Sequence, residues 1–118
     1  MSLHDAYTRT IASLLRAPDP AAALQAVLAA PETSPQLRAL LAQVAPDGLR
    51  MSALLVAQLR FNRLLNGSGA AAEAFDADPR GFSARFKAYH QEVPPRADNP
   101  VQEADDYRAW CERRGVGP

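Results

Sequence analysis

The 118 residues carry thirteen basic and thirteen acidic side chains, and so no formal net charge. That balance argues against a nucleic-acid binder, which shows a basic excess or a concentrated basic face. With 47% hydrophobic and 22% charged residues the chain has globular rather than disordered composition, and no apolar run approaches the roughly 20 residues that span a bilayer.

The length predicts one domain, 1–118, able to bury a core without staples. The start, MSLHDAYTRT, lacks the basic-then-apolar layout of a secretion signal, so a cytoplasmic protein is expected. One cysteine, Cys111, can form neither an internal disulfide nor a thiolate metal site. Twelve of the thirteen basic residues are arginine, Lys87 being the exception. In so alanine-rich a chain, that skew reads as genomic base composition rather than phosphate binding.

Helix-start signatures recur along the chain. Asp19-Pro20, Ser34-Pro35, Asp78-Pro79 and Asn99-Pro100 each place a capping side chain before a proline. Proline loses nothing at the first helical position, where its missing N–H would have no partner. Ser2 with Asp5, and Asp47 after Pro46, offer two further starts. The first helix is predicted over about 2–17, with Leu3, Tyr7, Ile11, Leu14 and Leu15 on one stripe. Others follow at about 20–30 and 35–45.

The fourth, about 47–66, is the longest. Met51, Leu54, Leu55, Leu59, Phe61, Leu64 and Leu65 spread over more than half its circumference, which predicts a central helix covered on several sides. Asn66-Gly67 has the residue types of a left-handed C-cap. Helices at about 69–76, 79–91 and 100–114 complete the chain, the last after the proline-broken loop VPPRADNP. No β-branched alternation calls for a strand. The expectation is an all-α, compact bundle of six or seven helices.

Chemistry concentrates in FKAYHQEVPP, residues 86–95. Phe82, Phe86, Tyr89 and Val93 share one helix face and should point inward. His90, rotated about 100° from that stripe, reads as a flank or C-terminal residue favoured by the helix dipole; the functional alternative is a contact at a groove rim. His90 and Glu92 do not face each other on a helix, so they make no acid–base pair. Two distant histidines do not make a metal site. Cys111 reads as a small buried residue beside Tyr107 and Trp110, and NGSG at 66–69 as a cap rather than a phosphate loop.

In the last helix, Glu103, Asp105 and Asp106 precede Arg108, Arg113 and Arg114, an order that complements the dipole without a partner. Tyr107 and Trp110 read either as a core anchor or as part of an aromatic groove. A helix-turn-helix reading would use 35–65, with Arg50, Arg60 and Arg63 on the second helix. That helix is too apolar to offer the polar face a recognition helix needs.

Three segments, LRFNRLL (59–65), FDADPRGFSARFKAYHQEVPP (75–95) and EADDYRAWC (103–111), carry a resemblance over the second half of the chain. They resemble small helical partner proteins encoded beside methanobactin-type multinuclear non-heme iron oxidases in modified-peptide biosynthesis clusters. The matching pattern is Phe75, Asp78-Pro79, Phe82, Phe86, Tyr89-His90, Val93-Pro94 and Glu103-Ala104 through Trp110. The resemblance implies a bacterial, non-catalytic accessory protein with no cofactor of its own, the iron belonging to the oxidase. Its partner would be that oxidase or its precursor peptide, gripped by Tyr89, His90, Pro94, Pro95, Tyr107 and Trp110. The alternative is a small DNA-binding regulator of helix-turn-helix type.

Overall fold

The computed structural model describes residues 2–118. These form seven α-helices and no strand: α1 (Leu3–Arg16), α2 (Pro20–Ala29), α3 (Pro35–Leu41), α4 (Pro46–Gly67), α5 (Gly69–Ala77), α6 (Pro79–Glu92) and α7 (Pro100–Arg114). The chain is all-α, as its capping pattern requires. Side chains of Ser2, Asp19, Ser34, Ser68, Asp78 and Asn99 each accept from a backbone N–H three residues on, satisfying a donor that the first helical turn leaves free. Asp47 does not cap. It lies inside α4 and pairs with Arg50 at 2.7 Å.

Instead of one core there are two compact units, the first ending at Val56 and the second spanning Ala57–Pro118. The first gathers Leu14, Leu24, Leu41 and Leu49, with Tyr7, Ile11 and Leu15 half-buried against them. Arg38 ties its α2–α3 turn together, donating to the carbonyls of Leu28, Ala30 and Thr33 at 2.9–3.0 Å. The second unit gathers Leu64, Ala71, Phe82, Phe86, Tyr89, Tyr107, Trp110 and Cys111.

Three local expectations change. The third helix stops at Leu41, because Gln43 and Val44 N–H turn back to the carbonyls of Leu40 and Leu41, three residues behind. Gly67 is helical rather than left-handed: Gly115, the C-cap of α7, is the one positive-φ residue among those described, at 67°. Finally, α4 is not covered along its middle, where Met51, Leu54, Leu55 and Leu59 are 58–66% exposed. Its burial is confined to Leu49 near the start and to Arg60 and Leu64 near the end.

Candidate functional site

The aromatic stripe of α6 lies inward as its spacing dictates, with Phe82, Phe86 and Tyr89 buried and Val93 half-buried. Rings from α4, α5 and α7 meet it. Phe61 stands edge-on to Phe75, Phe82 and Phe86, and Tyr89 stands edge-on to Tyr107 at 5.1 Å and to Trp110 at 5.7 Å. This is the offset or edge-to-face geometry that ring quadrupoles favour. The aromatics of the expected contact surface therefore spend their area on one another. Tyr89, Tyr107 and Trp110 are 0–4% exposed and belong to the core, not to a groove.

His90 is also buried, not a flank residue, its ring stacked on Phe86 at 5.8 Å. Of the expected contact residues, Pro94 and Pro95 alone stay on the surface. The bend carrying them is held by Arg96, which grips Asp106 with two bonds of 3.0 and 2.7 Å.

Inside this shell sits a charged cluster. The Arg60 side chain, fully buried, donates to Glu103 Oε2 at 3.0 Å and to the Val93 carbonyl at 2.6 Å, and lies 4.2 Å above the Tyr89 ring. Its Nη1 is 3.3 Å from His90 Nδ1. Guanidinium nitrogens only donate, so Nδ1 accepts and that contact places the imidazole proton on Nε2. The Tyr89 hydroxyl donates to the same Glu103 oxygen, and Arg63 Nε stands 3.9 Å from Glu103 Oε1.

Burial and then the Glu103 bond raise the Tyr89 phenol well above its ordinary value. Burial, reinforced by the Cys111 thiol, pushes Tyr107 up to about 12. The Cys111 thiol is itself raised, chiefly by burial, so it is held as a neutral thiol rather than a nucleophilic thiolate. Arg60 and Arg63 thus share the one carboxylate of Glu103, and Arg60 Nη2, Glu103 Oε1 and the Tyr107 hydroxyl are buried without a hydrogen-bond partner.

The buried roles of Glu103 and Asp106 were missed because their order along α7 already suited the helix dipole. The signal was their spacing. Glu103, Asp106, Tyr107 and Trp110 fall at i, i+3, i+4 and i+7, on the aromatic face itself. Arg60, an expected base-reading residue of the regulator alternative, is the most enclosed cation of this cluster, and Arg50 is paired with Asp47. Arg60 is enclosed, whereas Arg50 remains half-exposed.

The first unit offers a different surface. An apolar groove of about 340 Å³ lies between α1 and the start of α4, lined by Tyr7, Ile11, Leu15, Val44, Leu49 and the exposed Gly48 and Ser52. Beyond it on α4 stand exposed Met51, Leu54 and Leu55. A larger, more polar cleft of about 490 Å³ lies near Arg9, Thr10, Glu32 and Thr33. There the Thr10 and Thr33 hydroxyls already donate to the carbonyls of Ala6 and Val27.

Among the described residues no group of three or more His, Cys, Asp or Glu side chains could hold a metal ion, and no single helix is long and apolar enough to cross a membrane. Comparison of the chain with protein-family models, with curated proteins and with solved structures gives no match.

Proposed function

We propose that this chain is a non-catalytic partner protein that binds an apolar segment of a peptide or of a peptide-modifying enzyme. The observation that carries this reading is the exposed aliphatic run Met51, Leu54 and Leu55, beside the apolar groove in the same unit. Large aliphatic side chains left in water next to a groove mark interaction surfaces. In the second unit the two fully buried charges, Arg60 and Glu103, pair with each other.

The contact surface thus moves from the aromatic residues of the second half to the first unit, while the nature of the function is kept. The resemblance of residues 59–111 supplies the partner: a multinuclear non-heme iron oxidase of the methanobactin type or its precursor peptide, with the iron held by the oxidase. The test is co-expression with the neighbouring reading frames, followed by size exclusion, iron analysis and titration of the precursor peptide. A complex that carries iron, from which Met51→Ser with Leu55→Ser releases this chain, is the expected result. A chain that elutes alone and gives no heat with the peptide overturns the reading.

A further inference from the structure

We infer that the polar cleft between α1 and the α2–α3 turn is a binding site for a small aliphatic zwitterion, a free amino acid or a dipeptide. It shares no lining residue with the groove beside α4 and stands independently of the partner reading. At about 490 Å³ it falls within the roughly 300–1,000 Å³ that small-ligand sites occupy.

The walls of the cleft are set before a ligand arrives. Helix α1 packs on both α2 and α3. On the α1 side, Arg9 and Ser13 stand about one turn apart, as do Thr10 and Leu14. On the other side, the turn carrying Glu32 is braced at both flanks. Arg38 donates to the carbonyls of Ala30 and Thr33, and the Thr33 hydroxyl donates to that of Val27. A site already ordered in this way loses less free energy when a ligand binds.

The lining changes character with depth. Leu14 and Thr33 are buried and Val27 and Leu37 half-buried, whereas Arg9, Ser13, Glu32 and Ser34 are exposed. With the Thr33 hydroxyl already engaged, the inner lining is apolar and the rim polar. The rim carries one cation, Arg9, and one anion, Glu32, and no other charged group lines the cleft. Among the described residues neither has an ion-pair partner.

That pattern selects the ligand class. A guanidinium takes a carboxylate through two parallel bonds, and the Glu32 carboxylate accepts from an ammonium. A ligand with a single charge uses one of these groups and is opposed by the other. An amino acid or dipeptide carries both charges at its ends and an aliphatic side chain for Leu14, Val27 and Leu37.

The experiment titrates the full chain with L-leucine and with leucyl-leucine, read by amide NMR shifts. Saturable shifts at Thr10, Ser13 and Thr33 are expected for at least one of them, and the tighter of the two identifies the ligand as a free amino acid or a dipeptide. Leucinamide, which lacks the carboxylate, and N-acetyl-leucine, which lacks the ammonium, should each bind about fivefold more weakly than leucine, the scale of an exposed ion pair. Arg9→Gln should abolish the preference for leucine over leucinamide, and Glu32→Gln the preference over N-acetyl-leucine. Both substitutions lie on the exposed rim, and melting curves verify that each variant is folded. Three outcomes overturn the site: no saturation with either ligand by about 1 mM, shifts that map elsewhere, or preferences that survive in both variants.

Discussion

Glu103 is the acceptor on which the polar interior of the second unit depends. One of its oxygens takes bonds from both Arg60 and Tyr89, and its side chain and that of Arg60 are fully buried. Removing one partner of such a pair leaves an uncompensated charge in a low-dielectric site, a loss of about 3–5 kcal/mol, whereas apolar replacement of both is often neutral or stabilising. Glu103→Ala should therefore destabilise the second unit by about 3–5 kcal/mol, and Arg60→Met with Glu103→Leu should recover most of the loss. Urea unfolding followed by the fluorescence of Trp110, the only tryptophan, measures both. A double variant no better than the single one would show that the pair is not the source.

The buried tyrosines give a pH dependence at the same scale. Free phenols ionise near 10, and the folded chain holds the Tyr89 and Tyr107 protons to higher pH. The folded state thus binds more protons than the unfolded one above pH 10. Their contribution to stability is complete below about pH 10 and declines as pH rises from about 10 toward 12. Phenolate absorbance from these two residues should appear together with unfolding; full ionisation at pH 10 in a folded chain would contradict the burial.

At the scale of elements, the two glycines of α4 have opposite consequences. A Cβ on Gly67 would lie 2.0 Å from the Pro100 carbonyl oxygen and 2.4 Å from its carbon, both backbone atoms. Gly67 is where the end of α4 meets the start of α7, and only a residue without a side chain fits. Gly67→Ala should lower the melting temperature of the second unit despite alanine's helix preference of about 1 kcal/mol, since overpacking costs about 1–3 kcal/mol. Gly48→Ala, with open space around it, should raise stability by up to about 1 kcal/mol. Thermal melts of the two variants moving in the same direction would refute the contrast.

The same pair shows what a sequence reveals of an element. Helix starts were legible because a cap is a local device, a side chain and a backbone N–H three residues apart. The role of Gly67 was not, because Pro100 is distant in sequence, and Asn66-Gly67 imitates a left-handed cap that the chain makes instead at Gly115. The inward face of α6 was legible from period alone. The burial of His90 was not, because Arg60, the donor that its Nδ1 accepts from, lies thirty residues away.

At the scale of the molecule, the length alone suggested one core, and the four exposed aliphatic residues of α4 looked like part of it. Composition and period count apolar residues; they do not say which face of a long helix finds a neighbour. The two hydrophobic clusters share no residue: α4 gives Leu49 to the first and Leu64 to the second. That separation predicts separable unfolding. Leu24 is 1% exposed in the first cluster, and its truncation to alanine should cost about 2–5 kcal/mol there. Trp110 lies in the second. In Leu24→Ala, far-ultraviolet circular dichroism should show an early loss of helix in urea while the Trp110 fluorescence midpoint stays in place. In Phe82→Ala the Trp110 midpoint itself should fall. If Leu24→Ala moves both signals equally, the continuous helix α4 couples the two cores into one cooperative unit, and the chain unfolds as the single domain its length suggests.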